Sequence, residues 1–219
     1  MPSNITMNTP VNLWTSADHA HDYLRRADSA LHRIEGESTL LEFIPKTARR
    51  VLDLGSGDGR LLALVNASLA PAETESVAID FSPAMLDAVA ERFAGDSSVT
   101  IVAHNLDQPL PALGKFDAIV SCFAIHHLVH QRKRALYAEV HGLLNPGGVF
   151  CNLEHVASPT QRLHEEFLHP MGNTVETEDP SNKLLDLETQ LQWLREIGFV
   201  DVDCLWKWRE LALLVGRRS

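Results

Sequence analysis

From residue 50 to residue 153 short apolar runs alternate with amphipathic stretches of helical period. The runs Arg50–Leu54, Val77–Phe81, Val99–Ala103, Phe116–Phe123 and Val149–Leu153 read as strands. Between them, Asp58 to Leu69, Pro83 to Phe93 and Arg132–Leu144 read as helices. Ser82-Pro83 supplies a cap and a first-turn proline, Gly95 a stop, and Asn145-Pro146-Gly147-Gly148 a turn. Such alternation predicts a parallel sheet with right-handed crossovers and helices on both faces.

The flanks differ. Residues 16–44 are rich in helix formers, with Tyr23, Leu24, Ala27, Leu31 and Ile34 at helical spacing. They predict an N-terminal helical cap over residues 1–45, ahead of a core at 46–155, and the cap is expected to close over a bound ligand. Pro170–Lys183 is polar and reads as a surface loop. Leu187–Ile197 reads as a helix with Leu187, Leu191 and Leu194 on one face and Gly198 as its stop. Val200–Trp206 and Glu210–Val215 follow too closely for a helical crossover, so the last strand runs antiparallel. The expectation is one α/β domain over 1–219: three layers, about seven strands, mostly parallel with an antiparallel last strand. Residues 156–219 form a substrate-side insertion and a C-terminal β-hairpin.

Composition narrows the function. The 219 residues are 45% apolar and 22% charged, ordinary for a globular protein. No window of 18 apolar residues and no basic-then-apolar leader occurs, so no membrane partner is expected and a cytoplasmic location is. A net charge of −10 disfavours nucleic acid. The basic clusters Arg132-Lys133-Arg134 and Arg217-Arg218 read as a solvated helix face and a chain end. Cys122, Cys151 and Cys204 sit in apolar segments without CxxC spacing and read as buried free thiols.

The chemistry concentrates at Gly55-Ser56-Gly57-Asp58-Gly59 between the first strand and its helix. This is G-x-G-x-G; where the dinucleotide fingerprint has its third glycine stands Arg60. A pyrophosphate would meet the carboxylates of Asp53 and Asp58 at the helix N-terminus. A cationic nucleoside without phosphate suits the turn better, and S-adenosylmethionine is one. Asp80, closing the second strand, is placed to hold ribose hydroxyls.

At this point the chain resembles the class I, Rossmann-like SAM-dependent methyltransferases of small-molecule type. VLDLGSGDGRLL resembles their first motif, VAIDFSPAMLDAVAERF the next, and GKFDAIVSCFAIHHL and LLNPGGVF their fourth strand and the turn into the fifth. The resemblance implies S-adenosyl-L-methionine as cofactor, held by Asp53, Gly55, Gly57, Gly59, Asp80, Phe81, Met85, Asn105, Leu106 and Ser121. It implies Phe81 and Met85 against the adenine. Asn105 stands where the family often has Asp; it either accepts a hydrogen bond from the adenine amine or serves as a turn residue.

Ligands in this fold lie beyond the C-terminal strand ends. There the fourth strand delivers His126 and His127, and the fifth delivers Glu154 and His155. These four are the catalytic candidates, as base, substrate-positioning groups or pocket walls. His130, His141, His164 and His169 read as surface or packing residues, and no metal-ligand spacing is present. Trp14, His19, Tyr23 and Arg33 are candidates for acceptor selection, whereas Trp193, Trp206 and Trp208 read as packing. The expected activity is methyl transfer to O or N of a small molecule by a monomer or homodimer. The alternatives are a SAM-binding sensor or a SAM-using enzyme without methyl transfer, and then a nicotinamide-dependent oxidoreductase.

Overall fold

The computed structural model describes Trp14, Ser16, 18–20, 32–69 and 74–219. Tyr23, Leu24, Ala27 and Leu31 of the expected N-terminal helix lie outside the described residues.

The regular elements run in the order α1 (Arg33–Phe43), β1 (Arg50–Leu54), α2 (Arg60–Ser68), β2 (Glu75–Asp80), α3 (Pro83–Arg92), β3 (Val99–Ala103) and β4 (Phe116–Cys122). There follow α4 (His130–Leu143), β5 (Leu144–His155), α5 (Gln161–Leu168), α6 (Leu187–Ile197), β6 (Phe199–Trp208) and β7 (Leu211–Arg218). Seven strands form one sheet in the order β3-β2-β1-β4-β5-β7-β6. The pairs among β1–β5 are parallel, and β7 runs antiparallel to both β5 and β6. Only Arg209 and Glu210 join β6 to β7, so a reversed strand is the only connection the chain length permits.

Side chains alternate along each central strand, and each face carries its own core. Leu52, Ile119, Phe150 and Leu214 pack with Leu136, Tyr137 and Val140 of α4 and Leu191 and Leu194 of α6. Val51, Val120, Cys151 and Leu213 pack on the other face with Leu40 of α1, Leu61, Leu62 and Val65 of α2 and Val89 of α3. The three expected layers are present.

Four features depart from the sequence reading. First, α1 is a core helix: Leu40 and Ile44 are buried, and a Cβ on Gly36 would lie 2.8 Å from Leu153 Cδ1. Ile34, expected on the buried stripe, is 61% exposed. Second, Asn145–Gly148 does not separate α4 from β5. It bulges out of β5, because Phe116 pairs with Leu144 and Ala118 already with Val149. Third, α5 was not foreseen, although Thr160 caps it by accepting from Leu163 N–H at 3.3 Å and Phe167 and Leu168 bury its apolar side. Fourth, Lys133 belongs to no solvated face; it is 1% exposed, and Arg132 is tied to Glu139 and to the carbonyl of Leu106.

Because α1 fills the core rather than resting on it, Leu40→Ala should lower the unfolding free energy by about 2–5 kcal/mol. Urea unfolding of the two proteins checks this; a loss below ~0.5 kcal/mol would mean that α1 is not part of the cooperative core.

Candidate active site

Parallel register brings the ends of β1, β2, β3 and β4 to one edge, where a cleft opens. Asp53, Gly55, Ser56, Gly57, Asp58, Asp80, Phe81 and Met85 line one part of it, with His104–Asp107 beside them. Trp14, Arg33, Cys122, Phe123, Ala124, His127 and Leu128 line the rest.

The glycine turn is shaped by sterics and by one carboxylate. Gly55 and Gly57 have φ of 67° and 54°, the region costly for other residues. A Cβ on Gly55 would collide with Ala124, whereas one on Gly57 would meet nothing nearer than Met85 Sδ at 3.8 Å. The first glycine therefore permits close approach of the β4 end. Gly59 does not line the cleft; its Cβ would strike Val89 and Phe93 of α3 at 2.7 Å, so it serves helix packing. Asp80 Oδ2 accepts from Gly57 N–H at 2.9 Å, and Oδ1 accepts from Phe81 and Ser82 N–H at 2.7 and 2.9 Å. Burial nonetheless raises its pKa. Ser82 begins α3 as expected, but its hydroxyl makes no cap bond.

Asp53 is the least compensated group. It is buried, and its Oδ2 has no hydrogen-bond partner. Burial first, then the charges of Asp80 and Asp58, push its pKa up to about 8, and the N–H of Leu62 only partly opposes this. With Oδ2 sealed from solvent, the carboxylate acts on the cleft through its field, and a cation there would favour its ionised form. Arg33 reaches the same cleft from α1; its Nε donates to Glu37 Oε1 at 2.7 Å, and Glu37 also holds Arg60 at 3.0 Å. Arg33 lies over the Phe123 ring at 6.0 Å, and its charge also acts on Asp53, so it stands between the two parts of the cleft. The sequence placed it among the acceptor-selecting residues. Asp58 is ion-paired with Arg92, and Asp53 is mostly protonated below about pH 8, so the charge that disfavours a pyrophosphate comes chiefly from Asp80.

Phe81, Met85, Asn105 and Leu106 line the cleft as expected. Asn105 Oδ1 accepts from Asp107 N–H at 2.9 Å, the turn role; its amide nitrogen remains available as a donor. Ser121 lies elsewhere: it is buried, and its hydroxyl donates to the carbonyl of Leu54 at 2.8 Å, clamping β4 to β1 beneath the site.

The histidine rim divides in two. His127 lines the cleft, in edge contact with Trp14 at 5.5 Å. His126 is buried and its Nδ1 lies 2.8 Å from Glu154 Oε1. Burial pushes Glu154 up and His126 well below the ordinary imidazole range. His155 sits on Glu210 at 2.8 Å, and the same carboxylate takes His164 Nδ1 at 3.0 Å, so His164 is not a scattered surface residue. Burial and the charge of His126 push His127 down to about 2. A ring that weakly basic has little driving force to take a proton at neutral pH.

The outer part of this wall comes from a segment that the sequence left as a surface loop. Ser181 Oγ lies 2.9 Å from His127 Nδ1, Lys183 Nζ donates to the carbonyl of His127 at 2.7 Å, and buried Lys133 donates to the carbonyls of His126 and Lys183. Across the mouth, Asp179 meets His19 at 3.7 Å. Nothing local in the sequence signals these partners, which lie some fifty residues or more from the histidine turn in most cases.

The chain matches the model of the family described as "Methyltransferase domain" over residues 52–150. It is 29% identical over 202 residues to a demethylmenaquinone methyltransferase of Clavibacter sepedonicus, covering 85% of this chain and 78% of the relative. It is 28% identical over 205 residues to a ubiquinone/menaquinone biosynthesis C-methyltransferase of Dinoroseobacter shibae, with the same coverage. A solved O-methyltransferase family protein from Burkholderia thailandensis superposes with a TM-score of 0.72 at 20% identity, covering 94% of this chain and 61% of that one. The chain therefore spans about three fifths of the length of that solved structure.

Sheet order, glycine turn and comparisons agree on one class: residues 52–150 match a methyltransferase domain, set in a seven-stranded Rossmann-like sheet. The cleft holds the glycine turn together with two buried carboxylates, Asp53 and Asp80.

The raised pKa of Asp53 has a signed consequence. An acid whose folded pKa lies above its unfolded value holds an extra proton in the folded state between pH 3.8 and about 8. Its contribution to stability therefore falls as pH rises through that window. A cationic ligand that needs the ionised form gains affinity over the upper part of the same window. S-adenosylhomocysteine, which keeps the ammonium, should bind up to ~10-fold more tightly per pH unit from pH 6 towards 8, with proton release. Calorimetry in buffers of different ionisation enthalpy measures this; an equally steep rise in Asp53→Asn would assign it to another group. Asp80→Ala should weaken the same binding by about 1.5–3 kcal/mol, and unchanged affinity in a folded variant would remove Asp80 from the ribose site.

Proposed function

We propose that this protein transfers the methyl group of S-adenosylmethionine to a small-molecule acceptor that carries a ring or enol hydroxyl, at carbon beside that hydroxyl or at the oxygen itself. The observation that supports it is the continuity of the cleft: the cofactor end runs directly into an end walled by Trp14, Phe123, Ala124, His127 and Leu128. A largely apolar, aromatic wall with one polar tip suits a small flat molecule. The net charge of −10 supports a small acceptor over a nucleic acid. In the described residues no helix is long and apolar enough to cross a membrane.

The sequence pointed to oxygen or nitrogen as the methylated atom. The relative from Dinoroseobacter shibae carries C-methyltransferase in its name, and carbon is therefore added here. When bound, the cofactor supplies an activated methyl on a sulfonium, whose departure as a neutral thioether needs no acid. The acceptor reacts as its anion, its hydroxyl proton having passed to solvent, so the work left to the chain is alignment. In this reading Asp80 holds the ribose, Asp53 and Arg33 hold the two charged ends of the amino-acid tail, and Phe81, Met85, Asn105 and Leu106 enclose the adenine. His127 borders the acceptor, while Glu154, His126 and His155 support the wall behind it.

The direct test supplies labelled-methyl S-adenosylmethionine and a reduced 1,4-naphthoquinone. Label in the organic phase, reduced at least tenfold by Asp80→Ala at fixed cofactor, is the expected result. Tight S-adenosylhomocysteine binding with no label transferred to this acceptor or to any metabolite fraction would leave a SAM-binding sensor as the better reading.

A further inference from the structure

His127 is the one member of the histidine rim that lines the cleft, and its chemistry depends on which ring nitrogen carries the proton. Nδ1 lies 2.9 Å from the hydroxyl of Ser181. That hydroxyl is nearly buried, and among the described residues Nδ1 is its only recorded partner. A buried hydroxyl with one available acceptor donates to it. Nδ1 is then the lone-pair nitrogen, and the proton sits on Nε2. Among the described residues Nε2 has no recorded hydrogen-bond partner, and the ring lines the cleft.

Ser181 is itself held in place. Its N–H donates to Asp179 Oδ1 at 2.8 Å, and its carbonyl accepts from Lys183 Nζ at 3.2 Å. The N–H of Lys183 donates to the carbonyl of His126 at 2.9 Å, the same carbonyl that buried Lys133 holds at 3.2 Å. The segment and the histidine turn are thus joined by backbone bonds as well as side chains, and the hydroxyl faces the ring in a set position.

We propose that Ser181 is a positioning residue that fixes His127 as the Nε2–H tautomer, so that the acceptor end of the cleft offers a hydrogen-bond donor to an oxygen of the methyl acceptor. This rests on the methyl-transfer reading above and refines it. The acceptor class becomes one with a carbonyl, phenolate or enolate oxygen beside the reacting atom. His127 stabilises negative charge on that oxygen and takes no proton from it. Burial, which keeps the ring neutral, acts in the same direction.

The test needs no acceptor, so its failure is distinct from failure of the transfer assay. Long-range proton–nitrogen NMR spectra of the full chain, labelled with 15N in histidine, report the tautomer of each ring. Ser181→Ala and Ser181→Thr identify the ring, since His127 alone should respond to the first and recover in the second. His127→Asn confirms the assignment by loss of its signals. The expected wild-type pattern has the proton on Nε2, and Ser181→Ala should shift it towards a mixture of tautomers. A wild-type pattern with the proton on Nδ1 would overturn the proposal. So would a folded Ser181→Ala protein whose histidine patterns all match the wild type.

Discussion

The Asp80 carboxylate is the joint on which the site depends. It stands at the C-terminal end of β2 and receives the N–H groups of Gly57, Phe81 and Ser82. One bond crosses from β2 to the loop after β1, and the other two turn the chain into α3. The loop keeps its left-handed glycines because this carboxylate gives the turn a partner for an otherwise orphaned donor. Two oxygens with two lone pairs each accept three N–H groups, so one acceptor position is left for a ligand hydroxyl. The group that shapes the empty turn is thus also available to read the ribose.

Around that joint the charges are arranged unequally. Asp58 has Arg92, and Glu37 has both Arg33 and Arg60. Asp53 has a bare oxygen in a buried place and a pKa moved to about 8. Leaving one carboxylate uncompensated costs stability in the free protein. A cation arriving in the cleft recovers that cost as affinity, and this favours a sulfonium and ammonium over a phosphate. The second half of the cleft is built differently. There the polar groups, His126 with Glu154 and Lys133 with two carbonyls, are satisfied behind the wall, and a single imidazole edge reaches the cavity.

Most of the fold was legible along the chain. Strands β1 and β3 and helix α6 fall where the periodicity put them, and the reversed β7 follows from a connection too short to cross the sheet. The grouping at the cleft was legible for the same reason: Asp53, Gly55, Gly57 and Asp80 lie at or just after strand ends, and the parallel register of β1 and β2 brings those ends together. Local reading failed where a residue's surroundings come from distant segments. Ser121 looked like a site residue and is a clamp on Leu54; Lys133 looked solvated and is buried. Helix α5 had a signal in Thr160, Phe167 and Leu168, but it is only eight residues long, and residues 156–169 received no element from the periodicity.

The sequence by itself determined the order of elements, the direction of the strands and the position of the glycine turn. Each of these is set by neighbours within a few residues or by connection length. The tertiary structure decided which histidine faces the cleft, which carboxylate stays bare and what holds Ser181 against His127. Those outcomes depend on contacts between residues as far apart as Ser181 and His127, and on the burial those contacts create. No local pattern encodes desolvation, and desolvation is the largest influence on the protonation of His126, His127 and Glu154.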